Sequence, residues 1–184
     1  MPIANSSPAL YQLGKGIISI GEWVGLVPPP VLADVGNAPE FEVEVTEEKI
    51  EHKSSRTGVG AVDKEVIIET GYTVNFILDE VSVSNLARFV KGTVVGSNVI
   101  NANTALGKEF AMEFVSDNPA GEQSTWRFHK MTLSPNGAFA LIGEDFSQLG
   151  FTGTGLSDDA NNPSSPFFKI TVATTTTTTT TTTT

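Results

Sequence analysis

The chain contains no cysteine, which excludes disulfides and thiolate metal centres and leaves packing or assembly as the sources of stability. Histidine is almost as scarce: His52 and His129 are the two in 184 residues, and two isolated histidines do not make a metal site. No apolar run approaches the roughly 20 residues that a helix needs to cross a bilayer. The N-terminus, MPIANSSPALYQLGKG, lacks a basic start followed by an apolar core. The expectation is a soluble, cytoplasmic product with no membrane partner. Basic residues are few, with 11 Lys and Arg against 21 Asp and Glu, a formal charge of −10. A surface of that sign repels phosphate, which argues against nucleic-acid binding by a basic patch.

Hydrophobic residues make up 39% of the chain and charged residues only 17%. With abundant Gly, Ser, Thr and Asn, that mixture suits short strands joined by polar turns. The expected fold class is mainly β: an antiparallel β-sandwich or barrel with one flanking α-helix at about residues 83–91. An extended N-terminal arm at 1–13, a single domain at 14–173 and a threonine tail at Thr174–Thr184 complete the chain. A threonine tract favours extended backbone through χ1 restriction but has no apolar face to bury.

A first strand is expected from about Lys15 to Val24, followed by VPPPVLADVGNAP, where three prolines favour a stiff, extended connection. FEVEVTEEKIEH then alternates cleanly. Phe41, Val43 and Val45 point one way and Glu40, Glu42, Glu44 and Thr46 the other, the period of a half-buried strand with an acidic outer face. Strands at 65–70 and 72–81 are expected on either side of Gly71, joined by a tight hairpin or a bulged bend. SVSNLARFVKG is the one helix: Val83, Leu86, Ala87 and Val90 form a stripe, a serine caps the start and Gly92 supplies a left-handed end. Further strands are expected near 93–100, 108–115, 124–133, 137–144 and in PFFKITVA, with a polar loop at 152–166. Asn136-Gly137 is the strongest hairpin mark.

Glu51, His52, Ser54 and Ser55 lie within five positions and invite an acid, base and nucleophile reading. On a continuing strand, however, His52 and Ser54 share one face and Glu51 the other, so Glu51 cannot orient the imidazole. His129, in WRFHKM, has no second histidine or carboxylate at ligand spacing. The Asp158-Asp159 loop lacks the regular alternation and terminal Glu of an EF-hand. Neither Gly14-Lys15-Gly16 nor GTGLS fits a phosphate-binding loop. The expectation is a non-enzymatic protein with no catalytic, cofactor or metal residues. A solvated sheet face usually mixes charge signs, and the Glu40, Glu42, Glu44 stripe does not.

The order IEHKSSRTG, a long loop, GYTVNFILDEV, the helix SVSNLARFVKG and further strands resembles the major tail tube proteins of long, non-contractile phage tails, over roughly residues 14–172. That family is related in fold to contractile-tail tubes and the type VI secretion tube protein. The resemblance implies a β-sandwich with a helix, assembled into hexameric rings that stack through loops and arms around a channel. It makes Glu40, Glu42 and Glu44 candidates for the channel wall. It makes Lys53, Ser54, Ser55, Arg56, Asp63 and Lys64 candidates for a loop between rings, spanning Ser54 to Lys64. Leu10, Tyr11 and Leu13 become anchors of the arm. The strands from Phe41 to His52 and from Glu65 to Val81 become the inner barrel. The implied partners are further copies of the chain, a tape measure protein, a tail terminator, distal tail proteins and double-stranded DNA in transit. The implied location is the virion tail, after assembly in the host cytoplasm. An acidic wall is consistent with a DNA conduit, because phosphates do not stick to it.

Two other classes share the composition: a capsid decoration or head-tail joining protein, and a carbohydrate-binding or adhesin-like β-sandwich. The second needs exposed aromatics, for which only Trp23 and Trp126 are available as tryptophans.

Overall fold

Alternation of apolar and polar side chains builds the body of the fold. The computed structural model describes residues 11–25, 30–55 and 60–173. Leu10, Arg56 and the tract Thr174–Thr184 lie outside the described residues. Strands β1 (Gly16–Glu22), β2 (Ala33–Asp34), β3 (Glu40–Lys53) and β4 (Val62–Leu78) precede the helix α1 (Val83–Phe89). After it come β5 (Thr93–Val95), β6 (Val99–Asn101), β7 (Glu109–Ser116), β8 (Gln123–Pro135), β9 (Leu149–Gly155) and β10 (Phe168–Ala173). Eight strands form one antiparallel sheet, seven in the order β2-β1-β7-β8-β9-β4-β3 with β10 added beside β8, and β5 and β6 make a separate hairpin. The long β8 pairs with β10 over its first half and with β9 over its second.

The sheet folds over on itself. Phe41 on β3 stacks on Phe114 on β7, with ring centroids 4.9 Å apart, although three strands lie between them in the sheet order. Tyr72, Val74, Phe76 and Leu78 present one face of β4 to the enclosed core, where they meet Phe128, Met131 and Phe151. Apolar burial of this kind is the main source of stability in a chain without disulfides.

Several local expectations need correction. β4 runs unbroken through Gly71, which sits opposite Thr46, and the irregularity falls instead between Glu48 and Lys49, where Ile68 is left over. The proline-rich connection returns to the sheet as β2, with Ser19 opposite Asp34 and Val35 N–H donating to Ile18 O at 3.1 Å. The region 93–100 divides into β5 and β6 around Gly96, whose φ is +67°. Residues 137–144 form no strand. Asn136 and Gly137, whose φ is +89°, open a wide loop instead of a two-residue turn, and Asn136 N–H donates to Gly150 O at 2.8 Å.

The second half of β8 pairs instead with β9, whose last four residues fall in the stretch 152–166 expected as polar loop. The β9 glycines are required by contact: a Cβ on Gly155 would overlap the Tyr72 ring, and one on Gly150 would overlap Asn136 O.

Helix α1 is capped by Ser82, whose Oγ accepts from Asn85 N–H at 3.2 Å. Its left-handed terminal residue is Lys91, at φ +47°, and not Gly92. Lys91 N–H donates to Arg88 O and Gly92 N–H to Ala87 O, which satisfies the last carbonyls in a Schellman arrangement. The buried face carries a polar residue within its apolar stripe. Asn85, 1% exposed, donates from Nδ2 to Val35 O at 2.8 Å and Glu80 O at 3.0 Å. Its Oδ1 accepts from Arg88, which also reaches Ile20 O at 3.3 Å. Replacing Asn85 with Leu is expected to cost about 2–4 kcal/mol, because the buried Val35 carbonyl, the Glu80 carbonyl and a guanidinium lose a partner. Denaturant melts check this, with the exposed Ser84→Ala within about 0.5 kcal/mol of the parent as the control.

Candidate assembly interface

β3 and β4 stay paired well beyond the core. Phe41 and Val43 still pack against it, but every described residue of 44–53 and 61–70 is exposed. The distal half is a free two-stranded ribbon about 30 Å long at the usual rise per residue. One of its faces carries the cross-strand pair Ile50 and Val66, flanked by His52 opposite Lys64. On the other, Lys49 Nζ lies 2.9 Å from Glu65 and 3.4 Å from Glu47, and these carboxylates hold the ammonium pKa above its usual value. A ribbon exposed on both sides is marginal in water by itself. Ile50, Val66, Ile67 and Ile68 are therefore candidates for burial by another chain.

The loop expected from Ser54 to Lys64 is shorter than predicted. Asp63 and Lys64 belong to β4, Lys53 ends β3, and Ser54 N–H donates to Ala61 O at 3.3 Å to start the turn. Lys53, Ser54 and Ser55 thus meet Asp63 and Lys64 at the ribbon tip, because the two strands extend further than composition suggests. His52 does find an acid, but from across the ribbon: its Nδ1 is 2.5 Å from Asp63 Oδ1. The pair stands in solvent, with the imidazole 71% exposed. Glu51 is on the opposite face, as strand alternation requires.

Glu40, Glu42 and Glu44 all project from the face of β3 away from the core, opposite Ile77, Asn75 and Thr73, and all are exposed. The sheet continues this face with Thr152 and Thr154 on β9 and Thr132 and Ser134 on β8. Val45, expected on the buried face, is 63% exposed because the core ends at Tyr72 opposite it. β3 is the last strand of the sheet, and among the described residues nothing pairs with its outer edge. Such an edge is a template for another chain's backbone.

Tyr11 and Leu13 are exposed, yet their backbone is fixed by buried Asn118. Its Nδ2 donates to Tyr11 O and its Oδ1 accepts from Leu13 N–H, both at 3.0 Å. Two apolar features were not legible as interface in the sequence. Ile67 and Ile68 read as barrel wall, and Leu141 and Ile142 read as strand, yet with Phe146 they stand at 85%, 98% and 96% exposure.

The remaining candidates for chemistry are internal braces. Both carboxylate oxygens of buried Asp158 accept from side-chain amides, Asn161 at 2.6 Å and Asn162 at 2.8 Å. Among the described residues no group of three or more His, Asp or Glu is placed to hold a metal ion. Trp126 stacks on Phe168, and Lys130 lies 4.4 Å over the Trp23 ring, so each tryptophan has an occupied face.

A family profile described as "Protein of unknown function UCP028589" matches residues 11–98 and 94–171. The chain belongs to this family. No curated protein matches the sequence. Among solved structures, the chain is similar to one from the PVC sheath-tube complex of an extracellular contractile injection system in its extended state. The TM-score is 0.39 and the identity 12%, over 94% of this chain and 100% of that one.

His129 carries the clearest pH dependence. Burial pushes its pKa below 6.5; Asp158 pulls the other way, and Arg127 and Lys169 reinforce the shift. Its Nε2 has no hydrogen-bond partner among the described residues. The folded state therefore binds the proton less readily than the unfolded chain, so stability is full above about pH 6.5 and falls as pH drops below it. Unfolding free energies measured from pH 7.5 to 5 are expected to decline more steeply for the parent than for His129→Gln.

Proposed function

We propose that this chain is a structural subunit of a phage tail tube, whose copies close into hexameric rings and stack into an acidic-walled conduit for DNA. The observation that carries the reading is the β3–β4 ribbon. One strand pair supplies an open sheet edge, three glutamates on the face away from the core and an apolar extension standing clear of the body. Edge pairing between copies would join their sheets, and closure into a ring would remove the edge. The distal ribbon, with Ile50 and Val66 on one side and charged pairs on the other, is then the element that reaches the next ring. Glu40, Glu42 and Glu44 would face the channel, where like charge keeps DNA from adhering.

The reading is non-enzymatic: the His52–Asp63 pair stands in solvent, and both carboxylate oxygens of Asp158 are taken up by Asn161 and Asn162. It places the chain in the virion tail, with a tape measure protein, tail terminator and distal tail proteins as its neighbours. A joining protein at the head-tail boundary would share the ring but not the stacking, so the number of rings separates the two readings.

Negative-stain micrographs of the purified protein are expected to show tubes with a central channel. Shortening the ribbon by replacing residues 49–67 with an Asn-Gly turn should leave a folded protein, by circular dichroism, that forms no tubes. Tubes of normal length from that variant would remove the ribbon from stacking, and monomers from the parent at every concentration would remove the tube reading. Changing Glu40, Glu42 and Glu44 together to Lys should leave folding and tube formation intact but make the tubes retain double-stranded DNA at low salt. Equal DNA retention by parent and variant would mean that these residues do not line the channel.

A further inference from the structure

The loop between β8 and β9 combines a fixed neck with an exposed tip. At the neck, Phe139 packs on Phe89 of α1, ring centroids 6.0 Å apart, and Ser147 Oγ donates to Ala140 O at 2.6 Å. Beyond it Leu141, Ile142 and Phe146 stand almost wholly in solvent beside exposed Glu144 and Asp145. An apolar and acidic tip held in this way is preorganised for docking and has little ordering entropy left to lose.

The same chain carries a cleft of opposite character. A cavity of about 580 Å³ opens between α1, the β5–β6 hairpin and the ends of β7 and β8, with Val94, Phe110 and Leu133 in its walls. That volume lies within the roughly 300–1,000 Å³ that holds compact groups. Arg88, Lys91 and Lys108 line it against a single carboxylate, Glu22, which pairs with Lys108 at 2.8 Å. Three cations to one anion inverts the sign of a chain that is −10 as a whole. The tip does not fill its own chain's cleft, because its apolar side chains are free of cover.

We infer that the 141–146 tip of one copy docks into the α1/β5–β6 cleft of a second copy. Leu141, Ile142 or Phe146 would enter against Val94, Phe110 and Leu133, while Glu144 and Asp145 meet Lys91, Arg88 and Lys108. Charge complementarity selects this occupant over an unrelated apolar peptide. Tip and cleft are different surfaces, so the contact propagates head-to-tail into a ring or an open helix unless two copies exchange tips reciprocally, in which case cross-linking stops at the dimer. The inference rests on the self-assembly reading and adds to it a lateral contact distinct from the ribbon.

A charge swap tests it. Glu144→Lys with Asp145→Lys, and separately Lys91→Glu with Lys108→Glu, should each weaken self-association by about tenfold or more in sedimentation. All four substitutions in one chain should restore it. The absence of native cysteine allows a second readout: Ile142→Cys with Val94→Cys in an otherwise parental chain should give a ladder of disulfide-linked multimers. Failure of the swap to restore association overturns the inference, as does a disulfide formed within one chain, since the tip would then cover its own cleft. Tubes that persist in both charge-reversed variants overturn this contact alone. Multimers coupled through tip and cleft that never form tubes overturn the tube reading and leave the contact standing.

Discussion

The pairing of β3 with β4 is the constraint on which the rest of the molecule depends. Its first half is in the body: Phe41, Val43, Tyr72, Val74 and Phe76 bring the last strands of the sheet over β7 and β8, and the stack of Phe41 on Phe114 closes the core. Its second half has no core beneath it. The same ladder of backbone hydrogen bonds serves both, so stability gained in the body props up a ribbon that could not persist alone. Asn85 and Arg88 secure the helix side of this arrangement by joining α1 to the backbone of β1 and of the segment after β2.

Charge is distributed by face. The outer side of β3 carries Glu40, Glu42 and Glu44 where it borders the body, the ribbon mixes signs in local pairs, and the cations of α1 and its C-terminal turn collect around one cleft. Paired charges on an exposed ribbon contribute little to folding. In the proposed assembly their effect would lie in which surfaces of two copies attract and which repel, where net potential matters more than pairwise energy.

The parts legible in the sequence are those where side-chain period and environment agree. β3, β7, β8 and α1 were readable because alternation or a helical stripe matches a single buried face. β9 was not, because Gly153 and Gly155 read as loop, and these glycines with Gly150 serve close approach to Met131, Tyr72 and Asn136. Residues 137–144 misled in the opposite direction, as an apolar run with no strand beside it. Asn85 was hidden because an asparagine on a short helix suggests a solvent face, and only the fold shows which carbonyls it satisfies. The acidic stripe was visible at once, whereas the cationic cleft draws on residues from β1 to β8 and exists only after folding.

The strap at Asn118 has a mechanical meaning. Its amide holds Tyr11 O and Leu13 N–H, and Asp117 N–H holds Lys15 O, immediately ahead of the point where β1 enters the sheet beside β7. Tension on the chain before Tyr11 is therefore passed to the turn between β7 and β8, at the centre of the sheet, before it can peel β1 away one hydrogen bond at a time. In the proposed tube, a pull from a neighbouring copy on this end would meet the Asn118 strap before it met the β1 ladder.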